Sequence, residues 1–393
     1  MSGDKAERPV IKSIPEDFIV EEKAALPLQP LGHHRVYHLK KSHWNTLDLI
    51  RYLSRSLSLP LDKFSYGGKK DRHGLTYQFI TIQDQTNFSR EGKDFALESR
   101  GFMNRPMSPD LITGNAFTVT IRNLRDLTLI EKNVEEVKKT GFPNFFDDQR
   151  FRSYDPERGF FAEKILRRHW NGALQVFLTS AGADDGRKEG ERKEAIFREW
   201  KNWQACLNHA VDPIERKIFA YLCSHPKNFV RVLHLIPAEE VSMLFSAFQS
   251  HLWNEVLRRV IKLKVGDVKE IRGVEGNYLL WTNLDEGTFS YLNGLEIPTA
   301  AAKTGFPDGL PRSLYEEILR EKNLQPGLFR TKALRKVYFR SFRRKVLLIP
   351  DDFRITETGI DELHLGRKKM TLSFFLPRGA YGTMLIKRVS LTG

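Results

Sequence analysis

Between residues 65 and 82 a basic, glycine-rich turn that holds a single acid runs straight into a strand. The turn reads Ser65-Tyr66-Gly67-Gly68-Lys69-Lys70-Asp71-Arg72-His73-Gly74. Leu75-Thr76-Tyr77-Gln78-Phe79-Ile80-Thr81-Ile82 follows, alternating and rich in β-branched and aromatic residues, and the pattern predicts a strand from Thr76. Lys69, Lys70 and Arg72 crowd Asp71, and opposite charge within a few ångströms holds a carboxylate ionised. Gly67, Gly68 and Gly74 permit positive φ and let another backbone or a polynucleotide approach closely. A phosphate-binding P-loop is excluded, because its Gly-x4-Gly-Lys-Ser/Thr order is absent and a strand rather than a helix follows. On spacing alone the same run also fits a solvated surface loop whose ion pairs contribute little.

Charge narrows the choice of partner. The 393 residues carry a formal net charge of +14, with a pI near 9.6. An excess of that size favours a polyanion, and nucleic acid is the commonest one. A membrane is disfavoured, since no apolar run approaches the ~20 residues of a spanning helix. The amino-terminal Met-Ser-Gly-Asp-Lys-Ala-Glu-Arg lacks the apolar region of a signal peptide. Cys206 and Cys223 form neither a Cys-x-x-Cys nor a Cys/His pattern, so no disulfide framework or zinc site is indicated and a reducing, cytoplasmic setting follows. The length predicts two domains. No pattern calls for a metal, a cofactor or an obligatory protein partner.

In chain order, Ile11–Glu22 reads as a strand broken at Pro15-Glu16-Asp17, and Arg35–Lys41 as a strand that pairs with it. Residues 46–58 read as a helix capped by Asn45, with Leu47, Ile50, Leu53 and Leu57 on its apolar face. Phe117–Ile121 is a strand and Ile130–Lys139 a helix closed by Gly141. Pro143 and Asn144 keep the aromatic segment 141–151 irregular. Beyond a polar break at 181–190, helices are predicted at 157–170, 190–209, 213–223, 226–235, 241–262 and 312–322, with short strands within 271–281. The stretch Arg335–Lys345 holds six cations, three aromatics and no acid, which suits tracking of single-stranded RNA as well as a solvated basic face. Apolar strands close the chain at 346–349 and 371–386.

Several segments resemble one family. Gly68-Lys69-Lys70-Asp71-Arg72-His73-Gly74-Leu75-Thr76-Tyr77-Gln78 is similar to the Gly-x-Lys-Asp-Arg-x-Ala/Gly-x-Thr-x-Gln motif of the TruD family of pseudouridine synthases. Asp17-Phe18-Ile19-Val20-Glu21-Glu22, Trp44-Asn45-Thr46, Pro143-Asn144-Phe145-Phe146-Asp147-Asp148-Gln149-Arg150-Phe151, Ser246–Asn254 and Thr371–Ile386 resemble further segments of it. The resemblance implies that Asp71 is the catalytic residue, that Phe146 stacks on the extruded base and that Asn144 orients the carboxylate. Lys70 and Arg72 are implied beside the substrate, and Lys69, Arg150, Arg340, Arg343 and Arg344 are candidate RNA contacts. An enzyme acting on a base takes it out of the stack and needs an aromatic face to receive it. Phe145 and Phe151 read instead as core. Gln249, Ser250 and Asn254 read as side chains that satisfy buried backbone.

The implied architecture is α+β: a mixed, largely antiparallel sheet with flanking helices, carrying a mostly helical insertion. Residues 1–154 and 336–393 form the catalytic domain and 155–335 the insertion, with RNA in the cleft between them and helix 241–262 packing on either. The implied reaction is isomerisation of uridine to pseudouridine in tRNA, at position 13 in the family, without metal or cofactor. Asp147 and Arg152 stand where the family has glycine. That departure motivates one alternative, an RNA-binding or RNA-chaperone protein that has lost turnover. A metal-dependent nuclease using Asp147-Asp148 is the other, weakened because adjacent acids point in different directions.

Overall fold

The computed structural model describes residues 9–84, 89–182, 185–331, 334 and 337–391. The amino-terminal octapeptide, Ala183 and Asp184 of the polar break, and Arg335 and Lys336 of the basic stretch lie outside the described residues. In chain order come β1 (Phe18–Ala24), β2 (His34–Lys41), α1 (Thr46–Ser56), β3 (Phe64–Tyr66), β4 (Leu75–Ile82), β5 (Arg90–Gly92), β6 (Phe95–Met103), β7 (Ile112–Leu124) and α2 (Thr128–Thr140). Then follow β8 (Phe142–Pro143), α3 (Phe161–Leu166), α4 (Trp170–Thr179), α5 (Arg187–Arg198), α6 (Trp203–His209), α7 (Pro213–Ser224), α8 (Phe229–Leu233) and α9 (Ala238–Lys264). The remainder are β9 (Val268–Arg272), β10 (Asn277–Trp281), α10 (Glu286–Gly294), β11 (Glu296–Pro298), α11 (Leu310–Glu321), β12 (Arg343–Lys345), β13 (Leu347–Leu348), β14 (Asp351–Ile360), β15 (Lys368–Pro377) and α12 (Gly382–Val389). None of the described helices is long and apolar enough to cross a membrane.

The chain divides into two compact units, Met1–Gly141 with Ile349–Gly393, and Phe142–Leu348. These limits differ from the expected 154/155 and 335/336. Pairing of β8 with β13, and the Asn144 N–H bond to the Val346 carbonyl (2.8 Å), hold the aromatic segment 142–151 and the basic stretch together inside the second unit.

The first unit is built on a nine-stranded sheet in the order β14-β15-β7-β1-β4-β2-β6-β5, with β3 pairing β4. Every pairing is antiparallel except β1 with β4. The expectation that β2 pairs with β1 is therefore corrected. Strand β4 comes between them, because a parallel neighbour of β1 must arrive after a crossover, and α1 supplies part of it. Leu49, Ile50 and Leu53 of α1 pack on Tyr37, Leu39, Ile80, Ile82 and Leu97 of the sheet. Asn45 has the extended backbone of an N-cap but makes no capping bond; its amide donates to Asp48 (3.1 Å) instead. The carboxy-terminal apolar run is half strand and half helix, since Met384, Leu385 and Ile386 lie in α12 and not in a strand.

The second unit is mostly helical and centres on α9, whose predicted face Val241, Leu244, Phe245, Phe248, Leu252, Val256 and Val260 is buried. The helix expected over 157–170 is only the six-residue α3, stopped where the backbone turns through a positive φ at Arg168, and α4 beyond it was not expected. Likewise 190–209 is broken into α5 and α6 at Lys201, also at positive φ, and the Asn202 side chain caps α6.

Candidate active site

The loop from Gly67 to Gly74 joins β3 to β4, so Asp71 stands just ahead of the strand that runs parallel to β1. Gly67 and Gly74 serve close packing, Gly68 has room for a side chain, and none of the three adopts the expected positive φ. A Cβ on Gly74 would sit 2.5 Å from the Phe18 carbonyl oxygen of β1, and one on Gly67 2.5 Å from the Ile112 side chain. The loop is thus pressed against β1 and the start of β7.

The Asp71 side chain is 10% exposed. Its Oδ2 accepts from Lys12 Nζ, and its Oδ1 accepts the His73 backbone N–H (3.1 Å). Burial alone would raise its pKa; the Lys12 ammonium and the His73 amide outweigh that and hold the carboxyl below the usual aspartate range. The ionised state is as expected, but the cation in contact is Lys12, which the sequence reading missed. Lys12 adopts a positive φ and lays its ammonium 4.2 Å from the Phe18 ring centroid. The segment bearing it is pinned behind the sheet. Asp17 accepts the N–H groups of Ser13 (3.0 Å) and Ile14 (3.2 Å). Buried Arg122 in turn bonds Asp17 (2.9 Å), Asp361 (2.9 Å) and Glu362 (3.0 Å).

Lys70 does not face the carboxylate. Its ammonium pairs with buried Glu22 (2.7 Å) and donates to Asn115 (2.7 Å), fixing the loop to β1 and β7. Arg72 and Lys69 are exposed. Beneath the loop, the Lys70 N–H donates to Thr46 Oγ1 (3.0 Å), Thr46 donates to Gln78 Oε1 (2.9 Å), and Gln78 Nε2 reaches the Gly68 carbonyl (3.4 Å). In the Trp44-Asn45-Thr46 segment it is therefore Thr46, not Asn45, that touches the loop. Lys41, 0% exposed, donates to the carbonyls of Trp44 (2.9 Å), Lys70 (3.4 Å) and Asp71 (2.9 Å). One signal for it was present: strand alternation puts Lys41 on the inward face with Tyr37 and Leu39. Lys12 had none beyond its place ahead of the Asp17-Phe18 segment.

In the second unit, Phe146 is 4% exposed and its backbone is clamped by Asn254. The Phe146 N–H donates to Asn254 Oδ1 (2.9 Å) and the Asn254 amide donates back to the Phe146 carbonyl (2.9 Å). Trp253 meets the ring edge-on at 5.4 Å, and the Arg344 guanidinium lies 4.2 Å from its centroid. Asn144 is buried; its amide donates to the Lys345 carbonyl (2.9 Å) and its Oδ1 accepts from Arg344. Arg344 was expected as a surface RNA contact. It is buried instead, donating to the Asn144 carbonyl (2.8 Å) from the inward position of β12. Arg150 donates to Ser250 (3.1 Å), while Arg340 and Arg343 are exposed, Arg340 on its neighbour Tyr338 (2.7 Å). Phe145 and Phe151 are fully buried, as core residues should be. Gln249 bonds the Ala300 carbonyl (2.6 Å) and Ser250 the Ser246 carbonyl (2.8 Å), which is backbone satisfaction.

At the two departures from the family's glycines the backbone is ordinary: Asp147 has φ −87° and Arg152 φ −56°. Neither turn needs a left-handed residue, so the substitutions carry no backbone strain. Asp148 is spent on the Val274 N–H (2.8 Å) and the Tyr278 hydroxyl (2.8 Å), far from the paired arrangement a nuclease requires. The fold does gather one His–acid cluster that spacing missed. Ligand atoms of His251, Glu255 and Glu275 lie within 4.8 Å of one another, with the Arg258 guanidinium bonded to both glutamates.

A mixed sheet carrying a charge-clamped aspartate on the loop ahead of its parallel strand, with a helical insert, is the fold and motif arrangement of a pseudouridine synthase. The sequence pattern of the tRNA pseudouridine synthase D (TruD) family matches residues 8–389, and the chain belongs to that family. It is 30% identical to tRNA pseudouridine synthase D of Leptospira interrogans, over 97% of this chain and 96% of that one. It is 25% identical to the protein of the same name from Aquifex aeolicus, over 96% and 97%. The crystal structure of a TruD protein from Methanosarcina mazei shares the fold, with a TM-score of 0.71, 24% identity, and coverage of 98% of this chain and 94% of that one.

Proposed function

We infer that this chain is a tRNA pseudouridine synthase and that Asp71 is the residue that reacts. The observation that carries the reading is the Asp71 carboxylate itself, in the family's motif, held ionised by Lys12 on a loop packed against β1. The reaction needs little else. The C1′–N1 glycosidic bond breaks, the uracil turns, and C5 bonds to C1′ with loss of the C5 proton to N1, so all atoms are conserved. An ionised carboxylate serves it either as nucleophile toward C1′ or as base toward the sugar.

Phe146 is the ring we assign, on the family motif, to the loosened base. It is buried with Arg344 4.2 Å from its centroid, so the assignment requires that guanidinium to leave the ring face when the base stacks, a contact typically worth roughly 1–3 kcal/mol. We assign Asn144 to the same segment as its anchor, and the exposed cations Lys69, Arg72, Arg340 and Arg343 to the phosphates. Binding through them falls steeply with salt. Uridine 13 of tRNA is the target the family resemblance supports, and the cysteine usage fits a cytoplasmic enzyme.

The test is to incubate the protein with a uridine-containing tRNA transcript, without added metal, and assay pseudouridine. Asp71→Asn is expected to lower the single-turnover rate by at least about 10⁴-fold while tRNA still binds. Undiminished product from that variant overturns the assignment of Asp71. Binding without product from the wild-type chain supports the RNA-chaperone reading, and chelator-sensitive cleavage the nuclease.

A further inference from the structure

Lys41 ends β2, opposite Thr76 of β4 and Phe95 of β6, with its side chain fully buried. A buried ammonium is normally matched by a carboxylate, because desolvating a lone charge is unfavourable. The hydrogen bonds of Lys41 go instead to three carbonyl oxygens, one in the turn before α1 and two at the site loop itself. Three donors on one nitrogen meet three acceptors on two segments. A methionine would fill the same space and strand all three.

We propose that Lys41 is a positioning residue for the isomerisation: bonded to the carbonyls of Trp44, Lys70 and Asp71, its ammonium sets the backbone from which the Asp71 carboxylate is presented. The inference rests on the reading of Asp71 as the reacting residue. Lys41 acts through backbone and field, not by touching substrate. Its charge faces Asp71, which favours it, and Lys70, which opposes it; Glu16, Lys40, Glu91 and Asp94 line the cavity that Lys41 borders.

Burial pushes the Lys41 ammonium down to about 8, against the opposing pull of Asp71. Above that pH the amine keeps two N–H donors for three carbonyls and loses its charge. The sign of the stability effect is opposite. A lysine whose folded-state pKa lies below its unfolded value gains stability from deprotonation between the two values, so the fold does not loosen there. A rate that falls while melting temperature holds is thus the mark of positioning and not of a structural role.

The experiment measures single-turnover pseudouridine formation, tRNA affinity and melting temperature from pH 7 to 9 in a Cys206→Ala/Cys223→Ser background, because position 41 is as buried as Cys206 and is alkylated only in the unfolded chain. Lys41→Met is expected to slow the step by at least about 30-fold with affinity within about threefold, the scale of a misplaced reacting group. Lys41→Cys, inactive by the same measure, is expected to regain activity when it is unfolded in denaturant, alkylated to aminoethylcysteine and refolded, with its alkaline limb moved to lower pH, because that amine is less basic. A Lys41→Met rate within about threefold of wild type, or no recovery in a folded aminoethylated protein, overturns the proposal. Should Lys41→Met not fold, refolded Lys41→Cys decides, compared with and without the aminoethyl group: recovery of the rate with the amine supports the proposal, and equal rates in the two folded forms overturn it. Asp71→Asn separates the two readings. Product from Asp71→Asn removes the basis of both, whereas its silence beside an active Lys41→Met removes only the role of Lys41.

Discussion

Two of the short segments that carry the family's motifs, the Asp71 loop and Asn144–Phe146, are held in opposite ways. The Asp71 loop is held by charge: Lys12 on the carboxylate, Lys41 under the backbone, Lys70 on Glu22, and Arg122 behind the segment that delivers Lys12. The Asn144–Phe146 segment is held chiefly by amides and a guanidinium used as a hydrogen-bond donor, with Asn254 on both polar groups of the Phe146 backbone and Arg344 on Asn144. The difference teaches where each can be perturbed. A charge-held loop responds to pH and to removal of a single partner at long range. An amide-held segment responds to loss of shape and of buried hydrogen bonds.

The sharpest break in that comparison is Arg122→Met. It leaves Asp17 and Asp361, both buried, without their shared cation, and should destabilise the protein by about 3–5 kcal/mol in urea unfolding. A loss under about 1 kcal/mol would mean that the first unit is not held by charge. Next comes Asn254→Ala, which takes the Asn254 partner from the Phe146 N–H and carbonyl and one of two donors from Glu275 Oε1, which keeps Arg258; about 2–3 kcal/mol is expected by the same measurement. A larger loss there than at Arg122 would invert the contrast.

Lys12→Met sharpens it through pH. A carboxyl whose folded-state pKa is lowered adds stability that is complete above the ordinary aspartate value and vanishes as pH falls through the lowered one. Without Lys12, burial loses its chief opponent and is left against the weaker influences of His73 and the Lys41 charge, so the acid limb of the single-turnover rate should move to higher pH. An unmoved limb between pH 4 and 7 counts against Lys12 as the group that keeps Asp71 ionised. The smallest effect is expected for Asn45→Ala, under about 0.5 kcal/mol, because its amide contacts only exposed Asp48 and caps nothing.

Elements whose pattern is local were legible in the sequence. The strand after Asp71, helix α1 and the long α9 declare themselves by periodicity, and Gly141 closes α2 at φ 63° as a terminating glycine should. Strand β14 was not, because Asp351–Ile360 is polar on most of its length and carries no apolar alternation. Helix α3 was read as running on to residue 170 because the break at Arg168 depends on a left-handed residue with no glycine to announce it. At the site, the aspartate was legible from its motif and its charge partner was not. Lys12 lies 59 positions away and reaches Asp71 only because β1 and β4 run side by side. Nothing local distinguishes that lysine from its neighbours. Arg344 failed for the opposite reason: in a run of cations, composition cannot say which one β12 turns inward.

The sheet that presents Asp71 has a strand from the far end of the chain in its interior. Strand β15 covers one edge of β7 along residues 368–377, yet the whole of Phe142–Leu348 is translated between them. While a ribosome is still making that stretch, the nascent amino-terminal strands wait with β7 bare, a row of unpaired backbone N–H and C=O groups able to pair with any other extended segment. A message truncated before codon 368 therefore yields a product prone to aggregation, whichever of the site residues it contains.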